Sequence, residues 1–197
     1  MTAANPPARE IEIAVIDLET TGDVRGYEAE PWQIGIVVLS RGRIDPAPGF
    51  ESLLRVGDRP FNPRAPGQHH RLRREIAVAP TLPGLWPMLR QWIEGRPLAA
   101  HNAPTERKFL SLAAPLHTGG PWIDTLRLAR AAYPSLPSHA LQDVVGALNL
   151  LPRVQELCPG REPHDALFDA FCCAAILESL LAQEGWRDSS VALLAAQ

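Results

Sequence analysis

Four short segments of this chain carry acidic and histidine side chains that could do chemistry. They are residues 17–22 (DLETTG), 101–106 (HNAPTE), 124–126 (DTL) and 164–169 (HDALFD). Carboxylates are costly to bury together, because they repel one another and lose their hydration. Converging carboxylates therefore indicate hard divalent cations, Mg²⁺ or Mn²⁺, which prefer oxygen ligands. With a histidine beside such ions, the simplest chemistry is metal-assisted hydrolysis of a phosphodiester.

The first segment ends an apolar run at residues 11–18 that has the composition of a buried strand. Side chains alternate faces along a strand, so Asp17 and Glu19 point the same way and Leu18 points the other way. Both carboxylates come at the carboxyl end of the strand, where ligand sites collect in α/β sheets. Alone, an Asp-x-Glu pair is also a common feature of surface strands.

The second and third segments also follow predicted strands, at residues 97–100 and 122–123. Glu106 falls in the first turn of a helix predicted at 105–114, where it could be a ligand or could only complement the helix N-terminus. Asp124 precedes a helix predicted at 125–132, and its expected role is the N-cap.

The fourth segment pairs a histidine with a carboxylate at the start of a long helix predicted at 163–182. His164 and Asp169 are five residues apart, about 500° of helix, so they converge only if His164 lies at or before the helix start. Asp165 shares a helix face with Asp169 and could be a ligand, but it is more simply a cap. A histidine near these carboxylates is a candidate general base.

The remaining pattern predicts an α/β fold. Strands at 33–39 and 50–56 would form an antiparallel meander with the first strand, followed by a long loop at 60–80. Alternating helices and strands then predict a mixed sheet, three antiparallel strands followed by two parallel ones, flanked by helices. The other predicted helices are 82–94 and 138–150, the latter with Ser138 as its N-cap. We divide the chain into a flexible leader (1–9), one catalytic domain (10–185) and a C-terminal tail (186–197).

Composition limits the class of protein and its cellular location but does not identify the function. The chain has 197 residues, 46% hydrophobic and 21% charged, which is typical of one globular domain. It has no apolar run long enough for a membrane span and no apolar leader, which predicts a cytoplasmic protein without membrane contact. The three cysteines are expected to be buried thiols. The net charge of −3 does not indicate nucleic-acid binding, but a basic block at 55–74 could bind phosphates or be only a solvated loop.

The order and wording of these segments resemble the DEDDh family of 3′→5′ exonucleases, typified by the proofreading epsilon subunit of bacterial DNA polymerase III. The resemblance covers roughly residues 11–183. It rests on IDLETTG at 16–22, AHNAPTERKFL at 100–110 and the His-x4-Asp spacing of His164 and Asp169. Residues 124–130, and QHH at 68–70 followed by Pro80 and Thr81, fall where the family carries similar segments.

The resemblance implies a ribonuclease H-like fold with a central five-stranded sheet and two divalent ions, Mg²⁺ or Mn²⁺. It implies roles for the following residues: metal ligands Asp17, Glu19, Glu106 and Asp169; general base His164; substrate contacts Leu18, Thr20, Thr21, His70 and Asn102. The chain departs from the family at Thr105 and Glu106, where Phe and Asp are usual. Glu106 keeps the charge but adds a methylene, and Gln33 replaces a common Glu.

The function implied is a metal-dependent 3′→5′ exonuclease that releases nucleoside 5′-monophosphates from single-stranded or frayed ends, with DNA favoured over RNA. One alternative is a catalytically weakened module of the same fold that binds nucleic acid or a polymerase. A second is a polymerase-associated subunit that assembles through residues 189–197, although a helix docking on its own core explains that segment more simply. A thiol hydrolase built on Cys172 or Cys173 is remote, because apolar surroundings raise a thiol pKa.

Overall fold

A computed structural model describes residues 6–117 and 119–197 of the chain. The strands are β1 (Ile13–Thr20), β2 (Pro31–Ser40), β3 (Arg43–Ile44), β4 (Phe50–Leu53), β5 (Leu98–Ala100) and β6 (Trp122–Asp124). The α-helices are α1 (Arg73–Val78), α2 (Leu82–Ile93), α3 (Pro104–Ala113), α4 (Thr125–Ala132), α5 (Leu141–Ala147), α6 (Leu151–Leu157), α7 (Ala166–Leu181), α8 (Glu184–Arg187) and α9 (Val191–Ala196). Within these described ranges, no helix is both long and apolar enough to cross a membrane.

The strands form one mixed sheet in the order β3-β2-β1-β5-β6, and β4 also pairs with β2. β2 runs antiparallel to β1, whereas β5 runs parallel to β1 and β6 parallel to β5. The predicted α/β fold, a mixed sheet flanked by helices, is confirmed. β3 adds two residues that pair with the end of β2, too few to leave a period in the sequence.

The two faces of β1 enter different parts of the core because successive side chains alternate. Ile13 and Val15 belong to the larger apolar cluster, which α7 fills together with residues of α4, α5 and α6. Ile16 and Leu18 belong to a second cluster on the opposite face, which α2 and α3 cover. By the same alternation, Asp17 and Glu19 lie on the face of the sheet that α7 covers.

The helix predicted over residues 138–150 is wrong in extent. α5 spans only Leu141–Ala147 and a second helix, α6, follows it. Asn149 has a left-handed backbone (φ 53°), and Pro152 stands in the first turn of α6, so the chain turns and starts a new helix there. Ser138 is not the N-cap, since Ala140 holds that position; the Ser138 hydroxyl instead donates to Asp143 at 2.5 Å.

Both ends of the described chain pack on the larger cluster. The leader predicted over residues 1–9 is described only from Pro6, and there it is packed: Ala8 is fully buried, and its N–H donates to the Ser189 carbonyl at 2.8 Å. α9 docks on the core of its own chain, as the simpler interpretation expected, with Val191 and Leu194 buried. The boundaries at residues 10 and 185 stay a prediction.

The absence of a side chain at Gly35 lets α7 begin close to the sheet. Gly35 pairs with Asp17 across the β1–β2 ladder. A Cβ added at Gly35 would lie 2.3 Å from the Ala166 carbonyl oxygen, well inside van der Waals contact. The first turn of α7 therefore rests against backbone, directly beside the strand that carries Asp17.

We expect Gly35→Ala to lower the free energy of unfolding by about 1–3 kcal/mol, because the new methyl must push α7 off the sheet. Gly146→Ala is the matched control: Gly146 lies in α5 with open space around it, and alanine should add about 0.5–1 kcal/mol there. Urea denaturation of both variants measures the difference. A Gly35→Ala protein as stable as the wild type would contradict this account of how α7 is seated.

Candidate active site

Asp17 and Glu19 stand at the carboxyl end of β1, facing α7. Glu19 is buried, with 8% of its surface exposed, and Asp17 is partly buried. After Glu19 the register of β1 against β2 shifts, so Thr20 pairs with Pro31 as the strand ends. Two acidic groups are thus placed where the strand ends.

The start of α7 brings the fourth segment to these carboxylates. Asp165 is the N-cap and accepts hydrogen bonds from the N–H groups of Leu167 and Phe168, both at 3.1 Å, as the sequence predicted. His164 therefore precedes the helix, and its backbone takes a left-handed conformation (φ 67°). The His164 N–H donates to Asp169 Oδ2 at 3.0 Å, which closes the segment onto the first turn of α7.

Glu19, His164 and Asp169 converge. One ligand atom from each lies within 4.8 Å of the other two. His164 Nδ1 is 3.9 Å from Glu19 Oε1, and the imidazole is about half exposed. The predicted meeting of a strand-end carboxylate with the histidine and carboxylate at the start of α7 is therefore present in the structure.

Glu106 lies on a third element, in the first turn of α3. It is 4% exposed, and its Oε2 atom is buried without a hydrogen-bond partner among the described residues. Its charge acts on Asp17, and the charges of Glu19 and Asp124 act on it. A buried carboxylate oxygen that lacks a donor is unfavourable in the protein alone.

The four carboxyl groups have raised pKa values, and burial is the largest cause for each. It raises the pKa of Glu19 and that of Glu106 to about 8 and the pKa of Asp169 to about 7. The pKa of Asp17 is raised well above its usual value, by burial and then by the charges of Asp169, Glu106 and Glu19. The charges of the other three carboxylates therefore all act on Asp17, although Asp17 and Glu106 lie outside the group of ligand atoms that converge within 4.8 Å.

These residues fit a divalent metal centre. The donors are carboxylate oxygens, which hard cations prefer, and the unpartnered oxygen of Glu106 is free to serve as one. Cations would also remove the repulsion that raises the four pKa values.

A polar network that the sequence did not reveal holds the segment before α7. Gln33, on β2, is buried; its Nε2 donates to Asp165 Oδ2 at 3.1 Å and its Oε1 accepts the Ala166 N–H at 3.3 Å. Arg161 forms ion pairs with both Asp165 and Glu51. Gln33 therefore has a positioning role at the place where the family commonly has Glu.

Gln142 is a second residue that the sequence analysis missed. Its Nε2 donates to Asp169 Oδ1 at 2.6 Å, so both oxygens of Asp169 have a donor, one from α5 and one from His164. Gln142 lies 27 positions before Asp169, and no spacing rule links two residues that meet only through packing of separate helices.

The residues predicted to contact substrate differ in burial and in the hydrogen bonds that their side chains form. Thr20 is partly buried and accepts the Gly22 N–H at 3.4 Å, whereas Thr21 is buried and accepts the Glu30 N–H at 3.0 Å. The Leu18 side chain lies in the core on the far face of β1. The Leu18 side chain thus packs in the core and the Thr21 hydroxyl holds the Glu30 N–H, and the contact of Leu18, Thr20 and Thr21 with a substrate stays a prediction.

Asn102 and His70 are exposed. Asn102 has φ 77°, its side chain donates to Thr105 at 3.2 Å, and its N–H donates to Asp124 Oδ1 at 3.0 Å. Asp124 also accepts from Leu126 N–H, so its predicted role as an N-cap is present. No hydrogen bond in the described part of the chain joins His70 to the carboxylates, and its role stays a prediction.

The cysteines do not form a nucleophilic site. Cys158, Cys172 and Cys173 are all buried free thiols. Burial raises the pKa of Cys158 to about 11, and it raises the pKa values of Cys172 and Cys173 further. Such thiols remain protonated at neutral pH, which excludes a thiolate-based hydrolase.

Acidic groups at the end of a central strand thus meet a histidine at a helix start, on the face of the mixed sheet that α7 covers. The sequence profile of the Exonuclease (RNase_T) family matches residues 14–177. The chain therefore belongs to this family and is a hydrolytic exonuclease that acts on nucleic acid.

Two curated relatives align with most of the chain. A DNA polymerase III subunit epsilon-like protein of Rhodobacter capsulatus is 27% identical over 181 residues, which cover 90% of this chain and 25% of that protein. Exodeoxyribonuclease 10 of Escherichia coli is 28% identical over 183 residues, 91% of this chain and 73% of that protein. The chain thus spans about a quarter of the length of the first relative and about three quarters of the second.

Solved structures share the fold. Exonuclease X in complex with 5′ overhanging duplex DNA has a TM-score of 0.70 and 26% identity, covering 93% of this chain and 98% of that one. The nuclease domain of 3′hExo, a DEDDh family member bound to rAMP, has a TM-score of 0.65 at 17% identity, with the same coverage. The second likeness supports the fold alone, and both agree with the ribonuclease H-like architecture.

The raised carboxyl pKa values predict that the metal-free protein loses stability as pH rises. Between about pH 4, where these groups titrate in the unfolded chain, and pH 7–8, where they titrate in the fold, the folded state holds more protons. The stability that those protons supply is complete below about pH 4 and is lost as pH rises through 8. In a buffer that contains a chelator, the Tm of the protein should fall by about 3 °C or more from pH 5.5 to 8.5.

Glu19→Gln should flatten this pH profile, because it removes one of the interacting charges. Glu184→Gln, a neutralisation of an exposed residue in α8, is the matched control and should leave the slope as it is. Scanning calorimetry at several pH values measures both. A metal-free protein whose Tm rises or stays level over this range would contradict the electrostatics described here.

Proposed function

We propose that this chain is a metal-dependent 3′→5′ exonuclease that trims single-stranded or frayed nucleic acid, with DNA favoured, and releases nucleoside 5′-monophosphates. The observation that carries the proposal is the convergence of Glu19, His164 and Asp169 within 4.8 Å; the charges of Glu19, Glu106 and Asp169 also raise the pKa of Asp17. A structural role for this cluster is a poor explanation, because uncompensated buried carboxylates destabilise a fold.

In this proposal Asp17, Glu19, Glu106 and Asp169 hold two divalent ions, Mg²⁺ or Mn²⁺. When bound, such ions lower the pKa of a water and stabilise the charge that develops on the phosphoryl group and leaving oxygen. The chain also fits a protein-based proton transfer. His164 is half exposed, so a water can reach its imidazole, and Glu19 lies close enough to stabilise the imidazolium that forms.

The segment that carries His164 is held for this task. The His164 N–H donates to Asp169, and the adjacent Asp165 is bound by Gln33 and Arg161. The backbone of His164 is therefore fixed, and no hydrogen bond among the described residues occupies its ring nitrogens. Gln142 orients Asp169 in the same way from α5.

The partners and location follow from the same proposal. The name of the Rhodobacter relative supports a DNA polymerase as a partner, and co-purification with a polymerase from the native host would test it. A nucleic-acid 3′ end is the substrate that the site would receive. A cytoplasmic location stays a prediction.

Removal of a proposed metal ligand or of the proposed general base should abolish or strongly reduce catalysis. We expect Asp17→Ala to abolish Mg²⁺-dependent trimming and His164→Ala to lower kcat by about 10²–10⁴, the contribution of a general base. A 5′-labelled oligonucleotide should yield a ladder that shortens one nucleotide at a time, which reads the 3′→5′ direction directly.

Asp188→Asn is the matched control, because Asp188 is an exposed carboxylate whose one ion pair among the described residues is with Arg9. It should trim at the wild-type rate. Wild-type rates in both Asp17→Ala and His164→Ala would refute the assignment of the site. Immediate release of a labelled mononucleotide would instead reverse the proposed direction.

Manganese binding tests the metal centre separately from activity. Calorimetric titration of the chelator-treated protein should show two Mn²⁺ sites, and Glu106→Gln should weaken at least one of them about tenfold or more. Glu106→Asp keeps the charge and should bind more tightly than Glu106→Gln. Absence of binding heat in the wild type would favour the alternative of a weakened binding module.

A further inference from the structure

The segment 61–72 forms a wall of the candidate site. At one end the Asn62 N–H donates to the Thr21 carbonyl at 2.8 Å, just beyond β1. At the other end Gln68 hydrogen-bonds Glu162, and a Cβ on Gly67 would lie 3.7 Å from His164 Cβ. The segment therefore reaches from the end of β1 to the loop that carries the candidate base.

This wall continues into a group of arginines that no part of the catalytic site uses. We call Arg64, Arg71, Arg73 and Arg74 the arginine strip. All four are exposed, and no acidic residue occurs between positions 59 and 74. No member of the strip forms an ion pair with any described residue, whereas the neighbouring Arg59 pairs with Glu30 at 2.6 Å.

A turn at Arg71 and an aromatic stack at Arg73 hold two members of the strip against segment 61–72. The Arg71 N–H donates to the Gln68 carbonyl at 2.9 Å, so their Cα atoms lie within about 7 Å. Arg73 lies with its guanidinium carbon 3.8 Å from the centre of the Phe61 ring, which in turn stacks on His69 at 4.6 Å. A guanidinium resting flat on a ring keeps its N–H edge free for an anion.

We propose that the arginine strip binds backbone phosphates of the nucleic-acid strand whose 3′ end enters the site, upstream of the bond that is cut. This inference rests on the proposed function and adds the substrate contact that sets affinity for a strand rather than for a mononucleotide. The carboxylate cluster repels a polyanion, and the net charge of −3 gives no general attraction. A local cationic surface beside the cluster supplies that attraction.

The strip predicts a dependence on strand length and on salt. A mononucleotide ester fills only the catalytic site, whereas an oligonucleotide of about twelve residues is long enough to reach a neighbouring groove. Each phosphate contact adds about 0.7 to the slope of log affinity against log salt concentration for a single strand.

The test compares the double variant Arg71→Gln/Arg74→Gln with Arg43→Gln. Arg43 is the matched control: it is exposed, and it lies on β3, beside the end of β2 that pairs with the start of β1, away from the carboxylates. The probes are a fluorescein-labelled oligothymidylate of about twelve residues and the p-nitrophenyl ester of thymidine 5′-monophosphate. Oligonucleotide affinity is measured by fluorescence anisotropy from about 50 to about 200 mM salt.

We expect the double variant to bind the oligonucleotide at least about fivefold more weakly at 50 mM salt, with a salt slope lower by about 1.4. The ratio of kcat/KM for the oligonucleotide to that for the ester should fall by a similar factor, and Arg43→Gln should match the wild type in both measurements. Equal affinity and equal salt slope in the double variant and Arg43→Gln would overturn the inference. If the wild type binds the oligonucleotide through the strip but cleaves neither probe with Mg²⁺ or Mn²⁺, the proposed function fails and the strip stands.

Discussion

Electrostatic repulsion among four carboxylates is the constraint on which this structure depends. The charges of Asp169, Glu106 and Glu19 all raise the pKa of Asp17, and each of the four carboxyl groups is buried enough for its own pKa to rise. The fold must supply the energy to hold them together when no cation is present. The well-packed sheet and α7, which is buried along most of its length, provide that energy through apolar contact.

The groups that orient these carboxylates are neutral rather than cationic. Among the described residues, Asp169 accepts from the His164 N–H and from the Gln142 amide. The nearest arginine of the segment before α7, Arg161, is bound to Asp165 and Glu51 instead. The chain thus positions the acidic oxygens without neutralising them, which leaves their charge available for cations. The arginine strip is separate from these carboxylates and lies in and next to segment 61–72.

Much of the site could be predicted because its signals are local. Alternation along β1 placed Asp17 and Glu19 on one face, and helix geometry required His164 to precede α7; both features are present. Asp124 and Asp165 cap helices as short-range rules predict. The break before α6 was missed because Asn149 is only a weak turn former until packing selects its left-handed backbone.

The contacts that could not be predicted join residues far apart in the chain. Gln33 meets Asp165 across 132 positions and Gln142 meets Asp169 across 27, and neither pairing leaves a period or a motif. The Thr21 hydroxyl likewise accepts the Glu30 N–H, nine positions away, a contact that no sequence pattern indicates, and its contact with substrate stays a prediction. Sequence patterns report which face a residue occupies on its own element, whereas these partners are decided by how elements dock.

Asp169 and His164 lie on elements that differ in burial, so the two side chains should differ in mobility. Nearly every residue of α7 is buried, so displacing Asp169 requires opening the centre of the molecule, an event close in free energy to global unfolding. His164 precedes that helix in a half-exposed loop, where fluctuation costs far less. The Asp169 carboxylate is therefore held more firmly than the His164 ring, which is half exposed although its backbone is tied to Asp169. The ring can change rotamer during proton transfer without displacing this buried carboxylate.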